Sequence, residues 1–377
     1  MTALYIILAL VVFGLLVMIH ELGHFLMARA FGVGIREFSI GMGPKIFSWK
    51  GKKKWAEGGH ELPAIQLDEN GNYEEREPEE RITQYSLRAL PIGGYVSMVG
   101  EDEESDSPAA FGNKNVWKRI AIVIAGPLMN IILGFLLMLV LVLCTRDAAG
   151  ELALASNTVG AFTEGATSPS YGLQVGDVVT HVNGTRVHTG NEVMYEIMYQ
   201  GYEPVDLTVQ RGEEKIEIRD VIFPGMEAEG ISFGSPDFKV YREEIHTGTV
   251  LKHTFFRSVS TVKMIFDQLF DLIGGRFGMN AISGPIGVTE EMGNAAKSGF
   301  DTFLYLVIVI TINLGVFNLL PIPALDGGRL LFLLIEAVLR RPLNKNVEGY
   351  IHFVGMMLLL GVMILVACKD IAGLFAR

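Results

Sequence analysis

Four stretches of this chain are long and apolar enough to cross about 30 Å of hydrocarbon, and they fix most of what it can fold into. They run from Thr2 to about Ala28, from Ile120 to about Cys144, from Thr302 to Leu320 and from Tyr350 to Cys368. Backbone in lipid must satisfy its own N–H and C=O groups, so each run is expected to be a helix. Leu330 to Leu339 is also apolar but too short to cross, and Arg340-Arg341-Pro342 closes it. Half of the 377 residues are hydrophobic, the balance of a polytopic membrane protein with some soluble mass. The formal net charge of −11 carries little information, because the acids gather outside the apolar runs, at Glu74–Glu80 and Glu101–Asp106. No segment suggests nucleic-acid binding; the short run Lys50–Lys54 reads as a solvated or headgroup-facing loop. Cys144 and Cys368 each end an apolar run and lack zinc-type spacing, so both read as small apolar fillers.

The first run contains His20-Glu21-Leu22-Gly23-His24. An ionisable group at mid-membrane costs about 2.5–3.5 kcal/mol on insertion scales, so three together need partners or a job. At about 100° per residue, His20 and His24 share a helix face and can grip one metal ion. Glu21 lies beside that face, within reach of a proton from water. A signal peptide fits poorly, since no Lys or Arg precedes the run and no small-x-small site follows it. A catalytic zinc takes three protein ligands, so a third is expected from elsewhere at matching depth. The segment Asn318–Gly328 offers Asp326, the acid nearest a break made by Pro321 and Pro323, with Gly327-Gly328 allowing a tight turn. Irregular backbone at this depth must be buried in protein or line a wet cavity, and both suit a site.

Short-range charge gives an orientation. Arg29 and Arg36 follow the first run, Lys114, Lys118 and Arg119 precede the second, and Arg329, Arg340, Arg341 and Lys345 lie between the third and fourth. The positive-inside rule puts these flanks in the cytoplasm, with both termini and Thr145–Asp301 outside and the His pair toward the cytoplasmic side. Gly34–Trp49 and Gln84–Val99 alternate apolar and polar residues and read as strand pairs near the membrane, interrupted by a polar, acidic insertion at 52–80. Outside, Ala155–Pro224 reads as a module of short strands: Gly176-Asp177 turns into a β-branched strand, Asn183-Gly184 closes a hairpin, and Asn191–Gln200 is a short helix. The module resembles a PDZ domain, a fold that takes an extended peptide along a strand–helix groove; steric crowding of an entrance is the other reading. From Val250 to Ile273, Leu251, Phe255, Val259, Val262, Phe266, Leu269 and Ile273 recur at three-four spacing, for a helix on the outer membrane surface or packed on the module.

These motifs together resemble the site-2 protease family of intramembrane zinc metalloproteases, in the bacterial branch that acts on membrane-bound anti-sigma factors. HELGH at 20–24 is similar to the family's zinc motif, and NLLPIPALDGG at 318–328 to its Asn-x-x-Pro-x-Pro-x-Leu-Asp-Gly motif. FSIGMGPKIFSW at 38–49 and LPIGGYVSMVGE at 90–101 look like its membrane-associated β-region. AGPLMN at 125–130 matches its second-span motif, and SGPIG at 283–287 precedes the third span. The resemblance implies that His20, His24 and Asp326 bind Zn2+, that Glu21 is the catalytic base, and that Asn130 and Asn318 hold the substrate backbone. The strand around Gly93, Gly94 and Tyr95 would add to an unwound substrate. It also implies regulated cleavage of single-span membrane proteins, namely anti-sigma factors trimmed by a first protease and remnant signal peptides, in a bacterial inner membrane. One PDZ-like module stands where proteobacterial members carry two, and the acidic insertion departs from the family pattern.

The expected fold is therefore a polytopic α-helical membrane protein with four transmembrane helices, a membrane-associated β-region and an extracytoplasmic PDZ-like α+β domain. Its expected divisions are 1–31 and 117–145 for the first two spans, with the β-segments and insertion at 32–116 between them. The outer module takes 146–230, an amphipathic helix and linker 231–300, the third span and its motif 301–328, and the short helix and fourth span 329–377. The rivals are a non-catalytic PDZ membrane scaffold, a sporulation-type member of the same family, a zinc carrier, for which the internal repeat is missing, and a metalloprotease with a Glu third ligand.

Overall fold

In the computed structural model, which describes residues 3–54, 64–67, 73–76, 82–101, 105–146, 152–228, 231–275 and 284–376, each long apolar run is a helix. The chain begins with α1 (Ala3–Ala30), β1 (Ile35–Lys54), β2 (Ala64–Leu67), β3 (Tyr73–Arg76), β4 (Ile82–Met98) and α2 (Val116–Cys144). Then come β5 (Leu154–Phe162), β6 (Val178–Val182), β7 (Thr185–Arg186), α3 (Gly190–Gln200), β8 (Val205–Arg211) and β9 (Glu214–Val221). β10 (Gly225–Ala228), β11 (Ile231–Gly234) and β12 (Phe238–Glu243) precede α4 (Thr247–Ile273), α5 (Pro285–Ser298), α6 (Phe300–Leu319), α7 (Asp326–Leu339) and α8 (Lys345–Ala376). Among the described residues, four spans have the length and composition to cross a membrane: Ile7–Ala30, Val116–Cys144, Phe300–Leu319 and Asn346–Asp370. These are the four runs read from the sequence, shifted by a few residues at their ends. The chain divides into two units, the first of residues 1–132, 285–294 and 314–377, the second of 133–284 and 295–313.

In the first unit, α1 lies hard against α2. A methyl group added to Gly23 would stand 2.2 Å from the Ala125 carbonyl oxygen, so only glycine admits this approach. Phe25, Ala28, Val33, Ile35, Phe38, Ile122 and Leu333 are buried in one apolar cluster that ties α1, β1, α2 and α7 together. β1 and β4 pair antiparallel, as their alternation predicts, with Ile40 opposite Gly94 and Phe47 opposite Leu87. The first half of β1 also faces the first half of β4, Phe38 opposite Tyr85 and Ile40 opposite Leu87, so the ribbon curls over on itself. A polar knot holds the curl: Tyr95 donates to Glu37 Oε2 at 2.8 Å, Arg88 pairs with Glu37 at 3.0 Å, and Ser86 donates to the same carboxylate. Burial pushes the Glu37 carboxyl up, but the bonds from Ser86, Tyr95 and Arg88 and the charge of Lys45 outweigh it and hold the group at about 2. Of the acidic insertion at 52–80, residues 52–54 continue β1 and the β2–β3 hairpin sets Ala64 opposite Arg76; the rest lies outside the described residues.

The second unit is built on a sheet in the order β12-β5-β6-β8-β9, with β7 on β6. Val159, Val179, Val182, Val193, Ile197 and Val209 are fully buried in its core, which α3 caps. The Asn183-Gly184 turn has positive φ at both residues (47° and 76°), as a two-residue hairpin loop demands. Thr189 and Glu192 form a reciprocal cap at the start of α3. The sheet does not stop at Gly230, where the sequence reading ended the module. β12 pairs with β5, Phe238 opposite Phe162, so the strand order closes only at Glu243. β12 carries Lys239, Arg242 and Glu243 on a short edge, too polar for periodicity to reveal it. Nor is the segment before the third span a plain linker, since α5 occupies much of it. α4 is turned opposite to a soluble amphipathic helix: Leu251, Phe255, Val259 and Ile273 are exposed, while His253, Thr254, Ser258 and Thr261 are buried. Its inward polar side is matched by partners, with Glu243 on Lys252 and His253, and Glu196 on Lys263.

Candidate metal centre

α1 delivers His20 and His24 to one face, one turn apart, and both are over nine-tenths buried. α6 ends at Leu319, and the backbone from Leu320 to Leu325 is irregular before Asp326 opens α7. The return is tight. A methyl on Gly327 would meet the Leu320 carbonyl oxygen at 2.0 Å and one on Gly328 the Ile322 carbonyl oxygen at 2.5 Å, so these two glycines let α7 fold back onto the break. Asp326 thereby sits at a helix N-terminus, where the helix dipole favours a carboxylate.

The two histidines and Asp326 converge. His20 Nε2 lies 3.0 Å and His24 Nε2 3.3 Å from Asp326 Oδ2, and the two nitrogens are 3.2 Å apart. Ligand bonds of about 2.0–2.1 Å at tetrahedral angles put ligand atoms about 3.3–3.4 Å apart, so the triangle fits one zinc-sized ion. Asp326 Oδ2 is buried against the two imidazole nitrogens, and when both rings turn Nε2 lone pairs inward the three atoms repel one another unless a cation lies among them. Among the described residues, this is the one cluster of three such side chains able to hold a metal. Behind the ring of His24, Nδ1 lies 2.9 Å from the Ile122 carbonyl oxygen of α2. Behind His20, Nδ1 lies 3.3 Å from the Asn130 side-chain amide, which is completely buried.

Glu21 lies beside β4, its Cγ 3.7 Å from where a methyl on Gly94 would stand. The Tyr95 side chain is engaged in the Glu37–Arg88 knot, while Gly94 lies opposite Ile40 in the ribbon. Asn318 is half-buried in the last turn of α6, just before the break. A cavity of about 730 Å³ opens beside Asp326, walled in part by Gly100, Ala324, Phe332 and Met356. Two ion pairs line it, Arg119 with Glu336 and Arg329 with Glu101. Sequence reading did not single out these pairs, and it took Gly126 only as part of the second-span motif; a methyl added there would stand 2.2 Å from His24 Nε2. The available signal was a glycine followed by Pro127 in the middle of an apolar span.

The model of peptidase family M50 matches residues 8–56 and 76–362. A provisionally named zinc metalloprotease of Clostridium acetobutylicum is 32% identical over 97% of each chain. The zinc metalloprotease RasP of Shouchella clausii is 31% identical, covering 97% of this chain and 98% of its own. The regulator of sigma-W protease RasP of Bacillus subtilis is 28% identical over the same shares. With four helices long and apolar enough to cross a membrane, a converging His–His–Asp cluster and relatives named as zinc metalloproteases over 97% of its length, this chain belongs to peptidase family M50, the site-2 protease family, and is a zinc metalloprotease.

Proposed function

We propose that this chain cleaves peptide bonds within the membrane spans of single-span membrane proteins, with His20, His24 and Asp326 as zinc ligands and Glu21 as the general base. The convergence of three buried ligand atoms within 3.0–3.3 Å carries the reading. Bound there, zinc supplies Lewis-acid activation of the scissile carbonyl and of water. Glu21, next to the His face of α1, takes the proton of the attacking water and passes it to the leaving amide nitrogen. The cavity beside Asp326, with its ion pairs, gives water a polar route to a site otherwise walled by apolar helices. The Lys and Arg flanks support an orientation with that site toward the cytoplasm and the β5–β12 module outside.

A helical substrate keeps its carbonyls in i→i−4 bonds, so it must unwind locally before cleavage. In this reading an unwound segment adds to the edge of β4 near Gly93-Gly94-Tyr95, and Asn318 hydrogen-bonds its backbone. Among the described strands β4 pairs only with β1, which leaves it an edge. Replacing Gly93 and Gly94 together with alanine lowers cleavage while zinc stays bound; full turnover in that variant removes the strand-addition step.

The name of the Bacillus subtilis relative ties that protein to sigma-W regulation, and anti-sigma factors already trimmed outside the membrane are the proposed substrate class here. The PDZ-like module outside would admit trimmed stubs and exclude intact ectodomains. The test reconstitutes the full chain in proteoliposomes with a single-span substrate, trimmed or intact, and maps the cut by mass spectrometry. A cut within the span, abolished by a chelator and restored by zinc, is expected, with trimmed substrate preferred until residues 154–243 are deleted. Cuts confined to extramembrane sequence overturn the reading, and unchanged preference after the deletion overturns the filter. One-sided protease digestion of the same vesicles reads the orientation.

A further inference from the structure

We propose that one stretch of α2, Ile122 to Asn130, holds both imidazoles from behind, and that Asn130 is a positioning residue for His20. This rests on the zinc reading above and gives the second-span motif a task other than gripping substrate.

An imidazole can offer a metal its Nε2 lone pair only when the ring proton sits on Nδ1. For His24 the protein enforces this. Its Nδ1 faces the Ile122 carbonyl oxygen at 2.9 Å, and a carbonyl only accepts, so in the neutral ring the proton is on Nδ1 and Nε2 is bare. The residue four positions on from Ile122 is Gly126, and the next is Pro127, which has no N–H and strains the helix ladder at this turn. The N–H that Pro127 lacks is the one that would bond the Val123 carbonyl, the neighbour of Ile122.

For His20 the partner is a side chain, and a carboxamide can play either part. With Nδ2 turned toward His20 Nδ1 at 3.3 Å, the amide donates, which moves the ring proton to Nε2, facing Asp326 Oδ2 at 3.0 Å. With the amide rotated by half a turn, Oδ1 accepts from Nδ1–H, and His20 takes the same tautomer as His24. The first arrangement suits a metal-free site and the second a loaded one. Asn130 is fully buried and its Oδ1 has no partner among the described residues, so no other bond described there fixes which way the amide points. The cluster therefore has an element that answers to the metal, whereas the Ile122 carbonyl is fixed.

The prediction separates an acceptor from a donor. Asn130→Leu keeps the branched heavy-atom skeleton and removes the acceptor; it weakens zinc about 10–100-fold in competition with a chromogenic chelator, in line with other lost partners of metal-bound histidine. Asn130→Asp keeps an acceptor and holds zinc within a few-fold of the parent. Full-length protein in detergent is used, with thermal melting as the folding control and the visible spectrum of the cobalt-loaded form as a second readout. A changed spectrum in Asn130→Leu with the parent spectrum in Asn130→Asp is expected. If both variants bind zinc like the parent and only KM rises, Asn130 touches substrate and the proposal is wrong. If the parent holds no zinc, or His20→Ala and His24→Ala do not lose it, the zinc reading itself has failed.

Discussion

Glu21→Gln is expected to keep its zinc and lose cleavage by about 10²–10⁴-fold, the range in which a positioned general base contributes. The substitution preserves length and volume on α1, so the helix, its approach to α2 and the ring positions of His20 and His24 are left as they are. What disappears is a group that can accept a proton at neutral pH. The loss should therefore appear in kcat with KM little changed, because Glu21 acts on water rather than on the bound chain. Asp326→Asn makes the informative contrast. It removes a charge from the three-atom cluster, where the ligand oxygen lies 3.0 Å and 3.3 Å from the two nitrogens, and is expected to lose metal and activity together. Zinc content by mass spectrometry and turnover of a single-span substrate, measured on one preparation, distinguish the two cases. Retained turnover in Glu21→Gln would mean that another group is the base, whereas loss of zinc would make Glu21 a ligand and leave the base unassigned.

The parts of this site that were legible in the sequence depend on local spacing or on chemistry out of place. His20 and His24 declare themselves because helical periodicity alone puts them on one face, and because lipid makes their presence costly. Asp326 is legible because Pro321, Pro323 and two glycines announce a break where only a buried or wet backbone is tolerated. The β1–β4 pairing follows from alternation, but its curl does not, since it depends on which halves meet and on the Glu37 knot that staples them. For α4 the stripe alone leaves open whether its apolar face meets the membrane surface or the module, and here polar partners such as Glu243 and Glu196 draw the other face inward. Asn130 is expected on the substrate backbone, and the structure places its amide 3.3 Å from His20 Nδ1. Its motif gives the residue but not the atom it faces, which only the crossing of α1 and α2 decides.

That crossing makes Gly126→Ala the substitution expected to strip the metal most completely without altering a ligand. In an exposed helix the change would be favourable by about 0.8–1.0 kcal/mol. Here the new methyl would stand 2.2 Å from His24 Nε2 and 2.6 Å from Cε1, against an optimal separation of about 3.5–4.0 Å. The ring has little room to yield. Its Nδ1 is held by the Ile122 carbonyl at 2.9 Å, and α1 cannot back away without separating Gly23 from the Ala125 backbone that packs on it. Relief requires a ring shift of about 1 Å, several times the ±0.2 Å tolerance of a zinc–ligand distance. Zinc affinity should fall by more than about 100-fold and cleavage with it, while helix content by circular dichroism stays at the parent value. Gly361→Ala in α8, where nothing lies within 4 Å of the added methyl, should leave both properties unchanged. A Gly126→Ala protein that retained zinc at parental affinity would mean that α2 does not press on the His24 ring. The close approach that gives this span its glycine would then need another cause.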